Sequence, residues 1–220
     1  MDLMEAVRAR HSVRSYLDQP IGEEKAEKIR AFIDECNQES GLHIQLVVNE
    51  PQAFSSFLAH YGAFEGVTNY IALVGPKSPD LDEKCGWQGE KIVLHAQQLG
   101  LNTCWVALTY KKIPGAFEVR PGERLACVIS LGCGKTQGHA HKSKSLQDVT
   151  AGGDHPDWFV RGVECALLAP TAVNQQKFRF TREGRYVTAA SGLGPCAKID
   201  LGIVKYHFEI GAGKENFDWK

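Results

Sequence analysis

The sequence predicts an α+β fold in which helices flank a mixed or antiparallel sheet. Segments with apolar residues at helical spacing recur, as in residues 86–99 (GWQGEKIVLHAQQL), where Gly100 ends the helix. Apolar runs of strand length separate them, such as residues 69–76 (NYIALVGP), which end in Gly-Pro. No G-x-G-x-x-G motif opens a strand–turn–helix unit, so a dinucleotide-binding Rossmann fold has no support.

Up to residue 134 the chain alternates between these two kinds of element. Helices are predicted at residues 1–9, 19–40, 51–62 and 86–99. Strands are predicted at residues 43–50, 69–76, 103–108 and 121–134. We expect these strands to form the sheet and the helices to pack against it.

A polar stretch rich in glycine and histidine, residues 135–157, is linker-like. The pattern then starts again, with a helix at 158–168, a hairpin at 177–190 that turns at Glu183 and Gly184, and a helix at 200–213. Gly202 followed by IVKYHFEIGAG echoes Gly89 followed by EKIVLHAQQLG. The echo suggests a duplicated unit, with chance similarity as the alternative.

Composition narrows the class of protein. A chain of 220 residues fits one large domain or two small fused ones, and a net charge of -1 provides no basic field for nucleic acid. The seven cysteines include no C-x-x-C pair, which favours a reducing compartment over disulfides or a zinc site. The charged start does not read as a signal peptide, and no apolar run approaches about 18 residues. We expect a cytoplasmic protein with no nucleic-acid or membrane partner.

Three motifs are more typical of ordinary structure than of chemistry. Residues 132–136 (GCGKT) resemble the end of a phosphate-binding loop, but position 129 is Ile and no apolar-periodic helix follows. The HAH at 139–141 has no partner cluster for a metal, so a solvated loop is the better interpretation. Cys104 and Cys133 lie in apolar runs, where cysteine is usually a small core residue and not a nucleophile.

A cationic cluster near the N-terminus is harder to explain as structure. Residues 8–14 contain three arginines, Arg8, Arg10 and Arg14, together with Ser12. In an extended segment, alternating residues point to the same side, so Arg10, Ser12 and Arg14 would face one ligand. We call these three residues the arginine row. It could bind a phosphate through guanidinium groups and a hydroxyl, the alternative being a solvated basic loop.

This R-x-S-x-R pattern after a first helix resembles the opening signature of the nitroreductase family of FMN-dependent oxidoreductases. Further pieces follow in that family's order. Residues 86–107 (GWQGEKIVLHAQQLGLNTCWVA) are similar to its central helix and the segment beside the flavin ring, and residues 126–134 (ACVISLGCG) to its last core strand. Residues 142–149 (KSKSLQDV) are similar to its closing K-x-R-P-L-x-x-V element, with Lys144 in place of the arginine.

One element of the family is displaced in this chain. The family's APSxxNxQPW segment is expected soon after R-x-S-x-R, where this chain reads FIDECNQESGLHIQ, whereas APTAVNQQKF occurs at residues 169–178. Family members are commonly homodimers in which one subunit supplies the arginines and the other supplies this loop. The resemblance therefore implies a duplicated, single-chain member, with the phosphate site in residues 1–150 and the flavin loop in residues 151–220. A monomer is expected, with a homodimer left open.

The resemblance also implies which residues bind FMN. The positions that match the family's flavin contacts are Arg10, His11, Ser12, Arg14, Trp105, Val106, Ala107, Lys142, Lys144, Pro170, Thr171 and Asn174. The arginine row and the two lysines would hold the phosphate, the backbone after Trp105 would donate to flavin N5, and the residues from 170 onward would line the ring. No catalytic side chain is implied, because a bound flavin carries the electrons while the protein orients and tunes it.

The implied activity is NAD(P)H-dependent reduction of a small electron acceptor, such as a nitroaromatic or a quinone. Two alternatives stay open at this point. One is a flavin-binding protein for storage or regulation, without turnover. The other is a specialised flavin reaction such as reductive dehalogenation. No motif distinguishes NADH from NADPH or identifies the physiological substrate.

Overall fold

A computed structural model of the protein describes residues 1–55 and 62–220. These residues form two compact units, which we name after the sheets that their described strands build. The four-stranded unit consists of Arg10–Leu81 and Ile92–His139, and the three-stranded unit consists of Met1–Ala9, Asp82–Lys91 and Ala140–Lys220. The predicted division of the chain into halves at residue 150 stays a prediction.

The elements of both units follow one another as expected for an α+β protein. The helices are α1 (Leu3–Ala9), α2 (Glu23–Ser40), α3 (Leu81–Gln98), α4 (Leu146–Val149), α5 (Asp157–Ala166) and α6 (Ala197–Ala212). The strands are β1 (Gln45–Val47), β2 (Asn69–Pro76), β3 (Asn102–Val106), β4 (Glu123–Gly132), β5 (Phe178–Glu183), β6 (Tyr186–Ser191) and β7 (Asp218–Trp219). Single 3-10 turns occupy Gln52–Phe54, Ala172–Asn174 and Lys214–Asn216. Among the helices described, none has both the length and the apolar character needed to cross a membrane.

The sheet of the four-stranded unit has the strand order β1-β2-β4-β3, and every neighbouring pair is antiparallel. β2 is buried along its length except for its last residue, and the second half of β4 is buried as well. Ile71 of β2 lies opposite Ile129 of β4 at the centre of the pairing. These continuous apolar runs are what a fully buried strand requires. The predicted α+β fold, with a mixed or antiparallel sheet flanked by helices, is confirmed.

Helix α2 shows how spacing and turn chemistry set an element's limits. Its buried residues Ala26, Ile29, Ile33 and Cys36 recur at helical spacing. It ends at Gly41, which has φ 71° and donates its N–H to Asn37 O at 2.9 Å. A glycine in the left-handed conformation is the favoured end of a helix because it lacks a Cβ. The helix therefore presents one apolar face and stops where the sequence predicts.

Two predicted helices differ most from the structure in extent. α3 begins at Leu81 and not at Gly86, with Asp82 and Glu83 in its first turn. Acidic side chains are favoured there by the helix dipole, so this polar start extends the helix. Of the helix predicted at 51–62, Gln52–Phe54 is a 3-10 turn, and residues 56–61 lie outside the described residues.

The three-stranded unit contains the predicted hairpin and one strand that was not predicted. Glu183 of β5 pairs with Tyr186 of β6, and Gly184 in the turn has φ 62°, as a two-residue hairpin turn requires. β7 adds to β6 in parallel, with Asp218 opposite Tyr186. A strand of two residues is too short to show alternation, so the sequence carried no signal for it.

Within the three-stranded unit, α6 crosses residues 82–91 of α3 at two glycines. A Cβ on Gly86 would overlap the Ile199 carbonyl, and a Cβ on Gly202 would overlap the Glu83 carbonyl. Each carbonyl belongs to the residue three positions before the other glycine, so the two helices contact each other reciprocally. This local two-fold relation is consistent with the internal echo, although the partner of Gly202 is Gly86 and not the Gly89 that the sequence alignment suggested.

Candidate functional site

Residues 10–16, which we call the N-terminal segment, run through the four-stranded unit beside the edge strand β3. Val13 N–H donates to Thr103 O of β3 at 3.0 Å. Tyr16 N–H donates to Glu65 O at 2.9 Å. Because these are backbone bonds, they fix the path of the segment independently of most of its side chains.

The Tyr16 side chain secures the same segment from inside. It is fully buried, its hydroxyl donates to Val13 O at 2.7 Å, and it lies 2.8 Å from Ser130 Oγ. Burial raises the pKa of Tyr16 far above its ordinary value, so the hydroxyl stays a neutral donor. Gly132 makes room for the ring, since a Cβ there would lie 2.8 Å from it.

The arginine row acts on one buried thiol, that of Cys104 in β3. Burial raises the pKa of the Cys104 thiol, whereas the charge of Arg14, a hydrogen bond with Ser12 and the charge of Arg10 lower it. All three members of the row therefore influence the same neighbour. Arg10 is buried, while Arg14 is exposed with its guanidinium carbon 6.0 Å from the centroid of the Phe64 ring. Arg14 is thus the arginine of the row that meets solvent.

The loop after β4 packs on the N-terminal segment at His11. Gly138 has φ 72°, and a Cβ there would lie 2.8 Å from His11 Cβ. Asn102 Oδ1 holds the start of the loop by accepting the Gly134 N–H at 3.0 Å. No helix begins in this described stretch until α4. Residues 132–136 therefore form a structural turn against the N-terminal segment.

The residues predicted to present backbone to the flavin, Trp105, Val106 and Ala107, lie at the end of β3. Trp105 is opposite Ile129 of β4. Thr103 turns its carbonyl away from β4 and toward the N-terminal segment. Backbone groups two residues apart in a strand face the same edge, so Trp105 directs its own to this outer edge as well, whereas Ala107 follows the end of β3.

In the three-stranded unit, residues 169–177 form a loop that we call the APT loop. Asn174 folds back on Lys142 and donates from Nδ2 to the Lys142 carbonyl at 2.9 Å. Its own N–H donates to Thr171 O at 3.0 Å, and Pro170 precedes this turn. The predicted site residues of this unit therefore lie around one loop.

Gln176 joins these residues, although sequence reasoning had missed it. Its buried side chain donates from Nε2 to Lys142 O and to Asn174 Oδ1, both at 2.8 Å. Its Oε1 accepts the Lys144 N–H, and its backbone carbonyl accepts the Lys144 ammonium, both at 2.8 Å. Its N–H donates to Thr171 Oγ1 at 3.0 Å. The family's APSxxNxQPW segment has a glutamine at this position, so the resemblance offered a signal for this residue, although not for its contacts.

The APT loop contains backbone strain. Val173, Asn174 and Gln176 have φ of 47°, 53° and 44°. A left-handed conformation costs most non-glycine residues about 1–2 kcal/mol, and asparagine less. Val173 is β-branched and 88% exposed, so packing of its side chain does not offset this cost. Strain of this kind persists only where the surroundings impose it, and it is frequent at ligand sites.

Asp200, in the first turn of α6, holds the base of the APT loop. Its two carboxylate oxygens accept the Ala172 N–H at 3.0 and 3.2 Å, and Oδ2 accepts from Gln175 Nε2 at 2.7 Å. Burial raises the pKa of Asp200 to about 6, and the bonds from Gln175 and Ala172 oppose that rise. Sequence reasoning missed Asp200 because it lies 28 residues beyond Ala172 on another element.

Each unit, taken by itself, has exposed positive charge. Arg14 and Lys142 are exposed, and neither forms an ion pair with any residue in the ranges 1–55 and 62–220. Lys144 is also exposed, but its ammonium donates to Gln176 O. A guanidinium group and an ammonium group are each suited to a phosphate, such as that of FMN. Over the same ranges no group of three His, Cys, Asp or Glu side chains could hold a metal ion.

The family model described as "Putative TM nitroreductase" matches residues 2–212 of the chain. The match covers nearly all of both units, and the chain therefore belongs to this nitroreductase family. No curated protein matches the chain.

Solved structures agree with this assignment. A "putative nitroreductase" from Thermotoga maritima is 26% identical with a TM-score of 0.71, over 98% of this chain and 85% of that one. A "putative nitroreductase in complex with FMN" from Desulfovibrio desulfuricans is 16% identical with a TM-score of 0.55, over 71% of this chain and 99% of that one. A "Putative NADH dehydrogenase/NAD(P)H nitroreductase" from Bacteroides thetaiotaomicron is 18% identical with a TM-score of 0.51, over 67% and 95%. The last two show the likeness of the fold.

Proposed function

We propose that this chain is an FMN-dependent oxidoreductase that uses NAD(P)H to reduce a small electron-poor acceptor, such as a nitroaromatic or a quinone. The observation that carries the proposal is the arginine row on a backbone-fixed segment beside the edge of β3, in a member of a nitroreductase family. The FMN complex of a protein with a similar fold supports the choice of cofactor.

The arginine row would bind the phosphate and the adjoining edge of FMN. Arg14 is exposed and makes no ion pair with the described residues, so its guanidinium can form charge-assisted bonds. Ser12 would add a hydroxyl. Lys142 would contribute a second mobile charge, whereas Lys144, whose ammonium donates to Gln176 O, would contribute mainly by fixing the APT loop.

The backbone at Trp105 and Ala107 would donate to the flavin ring, and Pro170, Thr171 and Asn174 would line it. Asn174 already uses one N–H on Lys142 O and its oxygen on Gln176, which leaves its second N–H for the ring. When bound, FMN supplies the hydride and electron chemistry, so the chain needs no acid–base pair. Its cations would instead stabilise negative charge on the reduced cofactor.

The test is direct. The purified chain should bind about one FMN, because it carries one R-x-S-x-R pattern and one APT loop. NAD(P)H should bleach the flavin absorbance, and a nitroaromatic or quinone should restore it with ping-pong kinetics. A chain that takes up no added FMN would refute the proposal. A bound flavin that neither nicotinamide reduces would favour the storage or regulatory alternative.

We also propose that one chain supplies every residue that its FMN needs, so that the protein works as a monomer in the cytoplasm. The reciprocal crossing at Gly86 and Gly202 supports an internal duplication in place of a second subunit. Mixing an Arg10/Arg14 double alanine variant with an Asn174→Ala variant tests this. We expect no recovery of FMN binding in the mixture. Recovery would mean that two copies share their sites, as in a homodimer.

A further inference from the structure

Asp200 is a buried carboxylate whose position needs an explanation. It is 5% exposed, and it forms no ion pair with any residue that the structure describes. A buried charge without a cation lowers stability unless hydrogen bonds compensate for the lost water. Its hydrogen bonds from other elements all come from the APT loop, through Ala172 and Gln175.

We propose that Asp200 is the positioning residue of the APT loop, and that its carboxylate holds Ala172 and Gln175 so that Thr171 and Asn174 face FMN. This inference rests on the proposed function. The loop needs such an anchor because the left-handed backbone of three of its residues is unfavourable and must be held by surrounding contacts.

The geometry favours an ionised acid at this position, because both oxygens then accept. Both neighbours are donors, the Ala172 N–H and the Gln175 amide nitrogen. Gln175 cannot turn its oxygen toward residue 200 without loss, because Nε2 also donates to Pro195 O at 2.8 Å. An asparagine at 200 would accept one bond and direct its own NH₂ at the other donor. Asp200→Asn therefore keeps the shape of the side chain but removes the negative charge and one of the two accepting oxygens.

The direction of the pH dependence follows from the raised pKa of Asp200. Its folded value of about 6 exceeds the ordinary 3.8. The native chain then holds this proton more tightly than the unfolded chain, and ionisation between these values lowers stability as pH rises. The form of Asp200 that positions the loop is thus the form that destabilises the protein.

Other titratable groups lie near Asp200 and the loop. Burial raises the pKa of the Cys196 thiol, and the charges of Asp200 and of Asp82 in α3 raise it further, so the thiol lies near both carboxylates. On the side of residues 141–144 the neighbours are the two lysines and His141, whose Nε2 lies 3.0 Å from Leu167 O. The pH series is therefore repeated in a His141→Gln background, which removes this side chain as a contributor.

The experiment compares Asp200→Asn with Asp218→Asn, an exposed aspartate paired with Arg185 in the same unit. In the FMN-free chain, hydrogen exchange should quicken in peptides covering 169–177 and nowhere else. The FMN dissociation constant at pH 8 should rise about tenfold, the loss of one charge-assisted bond. Below pH 6 the FMN dissociation constants of wild type and Asp200→Asn should converge. The stability of Asp200→Asn relative to wild type should increase from pH 4 to pH 7.

Several outcomes would overturn the proposal. Unchanged exchange in residues 169–177 would do so, as would a parallel loss of stability and FMN affinity at every pH, which a merely structural residue would give. If Asp200→Asn does not fold, Gln175→Ala decides, because it removes one of the two donors and keeps the carboxylate. If wild type itself binds no FMN, the proposed function fails, and the exchange measurement alone decides whether Asp200 holds the loop.

Discussion

The N-terminal segment and the APT loop, the two regions that carry most of the proposed site residues, are held in different ways. The N-terminal segment is fixed by backbone bonds to β3 and to Glu65, and its residues have ordinary backbone conformations. The APT loop is fixed largely by side chains, above all Gln176 and Asp200, and three of its residues are left-handed. One region follows from sheet geometry, whereas the other depends on individual hydrogen bonds.

The difference teaches where each region is vulnerable. Most side chains of a backbone-fixed segment can be replaced without moving it. Substitutions in neighbouring residues that would clash with its backbone should therefore destabilise it most. A side-chain-fixed loop loses its conformation when a single donor or acceptor is removed. The predictions below test this contrast, from the largest expected effect to the smallest.

Gly66→Ala should be the most damaging of the substitutions considered. Gly66 has φ 68°, and a Cβ there would lie 2.6 Å from the Tyr16 carbonyl oxygen, a backbone atom that cannot turn away. We expect a loss of about 2–4 kcal/mol in the free energy of unfolding, measured by denaturant titration. Gly41→Ala is the matched control, because φ is 71° and a Cβ would meet no atom within 4 Å. Equal losses in both variants would contradict the role of this close approach.

Arg14→Ala should weaken FMN binding without unfolding the chain. Loss of a charge-assisted contact costs about 1.5–3 kcal/mol, or roughly ten- to hundredfold in affinity. Fluorescence titration of FMN measures it. Arg8→Ala is the control, since Arg8 belongs to the last turn of α1 and not to the arginine row. Equal and small effects for both would indicate that the cluster is only a solvated basic loop.

The four-stranded unit shows what a sequence can predict. Its signals are local in the sequence: the apolar runs of β2 and β4, the helical spacing in α2 and the glycine at the end of α2. Each of these signals lies within the element that it predicts. The alternation in the arginine row is local as well. The resemblance to the family rests on several motifs that occur in the family's order, and no single motif could have established it.

The APT loop shows what the sequence could not predict. The segment itself is recognisable by its resemblance, but its conformation depends on Asp200, on Gln176 and on the carbonyl of Lys142. These contacts join residues more than twenty positions apart. A lone aspartate in a helix carries no pattern, and the glutamine of the family's segment does not reveal which groups it contacts. Val173 also has a left-handed backbone, although a β-branched residue strongly prefers a negative φ. Residue propensity would therefore have predicted an extended conformation at this position.

Gln176→Ala should loosen the APT loop with a smaller loss than either substitution above. It would remove the acceptor of the Lys144 N–H and the donor to Asn174 Oδ1, while the Lys142 carbonyl would keep only its bond from Asn174, at a cost of about 1–2 kcal/mol. Hydrogen exchange in residues 169–177 and thermal unfolding both measure it. Gln147→Ala, an exposed glutamine in α4, should change neither. An unaffected loop in Gln176→Ala would show that the loop does not depend on this side chain.

Val173→Asn should have the smallest effect and the opposite sign. Val173 has φ 47° and a β-branched side chain that is 88% exposed, so its replacement removes strain and almost no packing. Asparagine tolerates the left-handed conformation, and we expect a gain of about 0.5–1 kcal/mol in the free energy of unfolding. Val119→Asn is the control, because this exposed valine is not left-handed and the same change should give no gain. If both variants lose stability alike, the strain at Val173 is not a significant cost, and the contrast between the two regions rests on hydrogen bonds alone.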